Sequence, residues 1–123
     1  MMQVRPLRVV LTHRLLADNP VGGVSTVYRR LAHHLAESGV DVATISPNPC
    51  AWSPRHIVVS DSDEPMTYAR SVADAVLAHG PDVAECSSWE YELLDYARRP
   101  RHQRAAVVVR CEFASADMRA FHL

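Results

Sequence analysis

Arg8-Val9-Val10-Leu11-Thr12-His13 runs through Asn19-Pro20-Val21-Gly22-Gly23 into Val24-Ser25-Thr26-Val27-Tyr28, and the reading of this stretch decides the fold. Val9, Val10 and Leu11 are consecutive apolar residues, the pattern of a strand buried on both faces. Beyond the loop, Val24, Tyr28, Leu31 and Leu35 recur at helical spacing, while Arg29, Arg30, His33, His34 and Glu37 fall largely on the other face. The double glycine between strand and helix leaves bare backbone at a helix start. There the first N–H groups have no partner within the helix and carry the positive end of its dipole. Gly22 and Gly23, with the amides of Val24 and Ser25, are candidates to hold a phosphate, carboxylate or sugar hydroxyl. A tight turn without a ligand is the other reading.

Outward from this unit the pattern repeats. Gly39 closes the helix over 24–38, and the alternating residues at 40–45 make a second strand, ended by Pro47 and Pro49. After an irregular 47–54, a short strand covers 55–59. Asp61, Ser62, Asp63 and Glu64 precede Pro65, a helix-start signal, and Tyr68, Val72 and Val76 carry the helix to His79 and Gly80. A brief strand over 81–86 follows, then a helix over 89–98 with Trp89, Leu93, Leu94 and Ala97 as its apolar face, closed by Pro100. Residues 105–110 form the clearest strand after the first, and 114–123 read as a helical tail. Alternating strands and helices predict an α/β fold with a doubly wound parallel sheet.

Composition narrows the function classes. Of 123 residues, 13 are basic and 14 acidic, which gives no case for nucleic acid or for an anionic membrane surface. All the basic residues are arginine, the usage of a GC-rich genome. Cys50, Cys86 and Cys111 are odd in number and widely spaced, so no disulfide framework is expected and a reduced, cytoplasmic setting fits. The first residues show no apolar leader, and no run approaches a membrane span. The seven histidines never fall into metal-ligand spacing, so no metal and no cofactor is assigned.

In an open parallel sheet, ligands bind beyond the carboxyl ends of the strands. Three loops leave such ends, at 13–23, 85–89 and 110–115. The first lacks both the dinucleotide fingerprint and the P-loop lysine. His13 either meets a ligand hydroxyl or is a hydrogen-bonded loop residue. Glu85, beside Ser87 and Ser88, either orients a substrate hydroxyl or pairs with Arg110 of a neighbouring strand. Trp89 either stacks on a sugar ring or packs the first turn of its helix onto the sheet. Glu112 is the best general-base candidate, with an ion pair to Arg110 or Arg119 as its alternative. Neither Cys86 nor Cys111 has a sequence sign of an activating partner.

Taken together, these segments resemble the N-terminal domain of a B-type glycosyltransferase of the large retaining family 4. The opening strand, the Gly22-Gly23 loop and the first helix are similar to that family's "GG" region. Leu31-Ala32-His33-His34-Leu35-Ala36-Glu37-Ser38-Gly39-Val40-Asp41-Val42 resembles its continuation. Pro81-Asp82-Val83-Ala84-Glu85-Cys86-Ser87-Ser88-Trp89 and Val107-Val108-Val109-Arg110 resemble its next two signature strands. The likeness is collinear over nearly the whole chain.

That resemblance implies two facing Rossmann-like domains, of which residues 1–123 would be part of the first. Gly22, Gly23, Val24 and Ser25 would then approach the donor diphosphate. His13, Glu85, Ser87, Trp89 and Arg110 would line the acceptor side. The family usually carries a histidine just after the strand matched by 107–110; Glu112 stands there in this chain. The donor-binding domain, with its glutamate motif, would come from a partner chain, and residues 1–123 alone would not turn over a nucleotide sugar. A rival expectation is a non-catalytic interaction protein that keeps the fold and stabilises or activates another chain.

Overall fold

The computed structural model of the protein describes residues 4–19 and 22–111. Five strands, β1 (Arg8–Thr12), β2 (Asp41–Ser46), β3 (His56–Val58), β4 (Val83–Ser87) and β5 (Ala106–Arg110), form one sheet. Every pairing is parallel, and the spatial order is β3-β2-β1-β4-β5. The helices are α1 (Gly23–Glu37), α2 (Pro65–His79) and the single turn α3 (Leu94–Ala97). This is the α/β, Rossmann-like arrangement that the alternating pattern predicts. Among the described residues, no helix is long and apolar enough to cross a membrane.

β1 sits at the centre because its apolar run can be buried on both faces. Val9 and Leu11 pack with Val42 and with Ala32, Leu31 and Leu35 on the α1 side. Val10 packs with Ala43, Ile45, Ala84 and Cys86 on the other, against Tyr68, Val72, Ala73 and Val76 of α2. Each fully buried valine or isoleucine in these two layers contributes about 1.5–3 kcal/mol. The Glu64 carboxylate accepts from the N–H groups of Met66 and Thr67, so α2 is capped at its start. Gly39 follows α1 and Gly80 caps α2, both at positive φ.

The chain builds outward from β1 through β2 to β3, then returns to the far side of β1 for β4 and β5. The order therefore reverses between β1 and β4. A crevice forms where the loops leaving these two adjacent strands part.

One expectation is corrected. The helix over 89–98 is reduced to Leu94–Ala97. Tyr91 takes a positive φ of 51°, and the Glu92 carboxylate turns inward to accept from the Arg14 backbone N–H at 2.8 Å. That tertiary bond overrides a pattern that was helical by spacing alone. Trp89 consequently stands 64% exposed instead of packing a first turn onto the sheet. β5, for all its valines, is an edge strand whose Val108 and Val109 are exposed. The tail helix expected over 114–123, and Glu112, lie outside the described residues.

Candidate functional site

β1 ends by delivering His13 into the protein interior, where the ring is 1% exposed. The Leu15 backbone N–H donates to His13 Nδ1 at 3.0 Å. Burial lowers the pKa of His13 to about 4, so the ring is neutral at pH 7. With Nδ1 used as an acceptor, the proton of the neutral ring sits on Nε2. That Nε2–H is buried and has no hydrogen-bond partner among the described residues. A buried donor left in this state costs about 1–3 kcal/mol, which a ligand oxygen would recover.

A cavity of about 190 Å³ opens beside it, lined by His13, Leu15, Gly22, Gly23, Val24 and Trp89. It lies at the switch point, between the loops that follow β1 and β4. Sequence reasoning placed these residues in two separate loops, and the fold brings them to one hollow.

The glycine pair divides into two roles. Gly22, the N-cap residue of α1, has φ 91° and ψ 166°, a region essentially restricted to glycine. A side chain there costs about 1–3 kcal/mol of backbone strain. Gly23 is the first helical residue, with no positive φ, and a Cβ added to it meets nothing within 4 Å. The fold does not require a glycine at position 23; what the missing side chain provides is open space at the cavity wall.

Unlike α2, α1 has no side-chain hydrogen bond at its N-cap. The Ser25 hydroxyl instead donates to the Leu15 carbonyl at 3.2 Å, tying the helix to the loop. Ser25 is fully buried and is not among the residues that line the cavity.

Glu85, Ser87 and Arg110 lie just behind the cavity, on the side of the sheet that α1 covers. Arg110 Nε donates to Glu85 Oε2 at 3.0 Å and a second guanidinium nitrogen reaches Oε1 at 3.5 Å. Of the two readings open for Glu85, this is the pair across neighbouring strands. The buried Ser87 hydroxyl accepts from the Trp89 backbone N–H at 3.2 Å and so sets the course of the β4 loop. Tyr28, read from the sequence only as an apolar helix position, lies between these groups. Its ring meets His13 edge-on at 6.1 Å and lies under the Arg110 guanidinium at 6.0 Å. Burial, with the nearby Glu85 carboxylate, raises its phenol pKa well above the ordinary value.

Burial pushes the thiols of Cys50 and Cys86 up to about 11, which keeps them protonated. Among the described residues, no group of three or more histidine, cysteine, aspartate or glutamate side chains is placed to hold a metal ion. The chain matches no protein-family model, no curated protein and no solved structure.

Proposed function

We propose that residues 1–123 form the acceptor-side half of a retaining glycosyltransferase, working with a partner chain that supplies the donor-binding domain. The observation that carries this reading is the buried His13 Nε2–H beside the cavity at the switch point. The uncapped start of α1 and the unfilled space at Gly23 line the same hollow. Together they put hydrogen-bond donors at the border of a hollow whose wall is otherwise mostly apolar, an arrangement we read as a place for the oxygens of a diphosphate or a sugar. The collinear resemblance adds the class of ligand, a nucleotide sugar, and the retention of configuration.

In this reading the amides of Gly23, Val24 and Ser25 face the donor diphosphate, while His13 donates to a ligand oxygen. Trp89, exposed at the mouth, offers an aromatic face for a sugar ring. Glu85 and Arg110 hold each other and keep Tyr28 against His13, so they position the acceptor side. Glu112, which follows this region in sequence, is the carboxylate assigned to the acceptor hydroxyl. Exposed Leu15 and Trp89 at the rim, with Val108 and Val109 on the edge strand, give a partner chain an apolar surface to cover.

The same exposed surface favours a second reading, a non-catalytic chain that stabilises another glycosyltransferase. Reconstitution separates the two. Mixed with a chain carrying the donor domain, the parent protein is expected to support sugar transfer from UDP-glucose or GDP-mannose. The Gly23→Ala and Glu112→Gln variants are expected to form the complex but lose most of the transfer. Unchanged transfer in both variants would establish the scaffold reading, and absence of both complex and transfer would end the split-enzyme proposal.

A further inference from the structure

Behind the loop that carries His13 lies a second hollow, on the α2 side. Arg14, Pro65, Tyr68, Ala69, Glu90 and Glu92 line about 170 Å³ there, and none of these residues belongs to the glycine-loop cavity. Two side chains on its wall each carry a buried polar atom without a hydrogen-bond partner among the described residues. Glu92 is 1% exposed, and although its Oε2 accepts from the Arg14 backbone N–H, its Oε1 has no hydrogen-bond partner among the described residues. Tyr68 is 2% exposed, and its hydroxyl is equally without one. Two buried polar atoms without partners, contributed by different elements to the wall of one hollow, point to a group that is meant to meet them.

Charge selects the kind of group. The Arg14 guanidinium lies 4.8 Å over the Tyr68 ring and is engaged by Asp61 at 2.5 Å, by the Ser62 carbonyl and by Glu90 at 3.7 Å. Among the described residues, the carboxyl groups of Asp61, Glu90 and Glu92 thus gather about one guanidinium, which is already matched by Asp61 and Glu90. An incoming anion would add to this excess. A neutral polyol would satisfy the Tyr68 hydroxyl but bring no charge to offset the burial of an ionised Glu92. An ammonium group supplies both the missing charge and the hydrogen-bond donors.

We propose that this hollow binds a small hydroxylated amine, its ammonium group donating to Glu92 Oε1 and an adjacent hydroxyl meeting the Tyr68 hydroxyl. The site uses no residue of the nucleotide-sugar proposal and stands without it.

The Arg14 backbone amide, bonded to Glu92, is a built-in reporter. Titrated with glucosamine in an amide NMR experiment, the protein is expected to show its largest shifts at Arg14 and Glu92. The pH midpoint of the Arg14 signal is expected to fall, because the bound ammonium favours the carboxylate. Binding to the Glu92→Gln variant, which still accepts from Arg14, is expected to weaken by at least about tenfold. Glucose, identical but for the amine, is expected to leave Arg14 unmoved. Equal response to both sugars, or no response to either, would overturn the proposal; in the latter case water alone fills the hollow.

Discussion

Replacing Glu92 by glutamine is expected to make the protein about 3 kcal/mol more stable at about pH 8, with the gain fading as pH falls through about 7 and gone below about pH 4.5. Burial raises the Glu92 pKa from 4.5 to about 7, assisted by Glu90, while Arg14 and the Arg14 amide pull the other way. Tyr68 and Cys86 face the same carboxyl. Between these two pH values the folded protein keeps a proton that the unfolded chain has released. The stability linked to Glu92 is therefore complete below pH 4.5 and is lost as pH rises through about 7. Glutamine preserves the acceptor for the Arg14 N–H and removes the titration.

His13 runs in the opposite sense. Burial lowers it from 6.5 to about 4, so its stability contribution is complete above pH 6.5 and is lost, by about 3 kcal/mol, as pH falls to about 4. The two slopes oppose each other in the parent protein over their shared window. Urea unfolding across this range should show Glu92→Gln gaining stability steadily with pH. The His13→Asn variant, whose side-chain oxygen replaces Nδ1 as acceptor, should lose stability with pH. Other perturbed groups, including His56 and His79, are common to all three proteins and cancel in the comparison. Three parallel profiles would contradict the buried placement of both side chains.

Tyr28→Ala is expected to cost about 3–5 kcal/mol, whereas Tyr28→Phe should stay within about 1 kcal/mol of the parent. The tyrosine is fully buried, packed with Leu16 and Cys50 and flanked by Val24, Leu31 and Trp52. Alanine would leave a cavity beneath both His13 and Arg110. Phenylalanine keeps the ring and deletes only a hydroxyl that has no hydrogen-bond partner among the described residues. Unfolding midpoints of the two variants check this, and a large loss in Tyr28→Phe would show that the hydroxyl is bonded after all. The same pair bears on the site, because only alanine removes the support under the His13 ring.

The central strand and the helices α1 and α2 were legible because local signals agree there. A three-residue apolar run, a period of 3.6, and glycines or acids at the ends all favour the same elements. The strand order was not legible, since nothing local says that the chain returns to the far side of β1 after β3. The valines of 105–110 announce a strand without saying that it lies at the edge. The failure at 89–98 has a different origin. Trp89, Leu93, Leu94 and Ala97 are correctly spaced for a helix, but Glu92 is held by an amide 78 residues away.

The candidate site was half legible. His13 and the glycine pair stand out because a strand end and a helix start announce where a loop must open. Tyr28 was hidden among apolar helix positions. The hollow formed by Arg14, Tyr68 and Glu92 draws on three separated segments, none of which carries a motif. Along both loops at the switch point, residues serve the two hollows in turn. His13 and Leu15 face one while Arg14 faces the other, and Trp89 is divided from Glu90 and Glu92 in the same way.

The central claim, that the glycine loop meets a nucleotide diphosphate in the hollow beside His13, is tested most directly by titrating the protein with UDP in an amide and imidazole NMR experiment. Parent protein is expected to shift at Gly23, Val24, Ser25 and the His13 Nε2–H. Gly23→Ala, whose added methyl group meets no protein atom within 4 Å and which should gain about 0.5–1 kcal/mol in stability, is expected to lose those shifts. Equal shifts in parent and variant, or shifts confined to other residues, would contradict it.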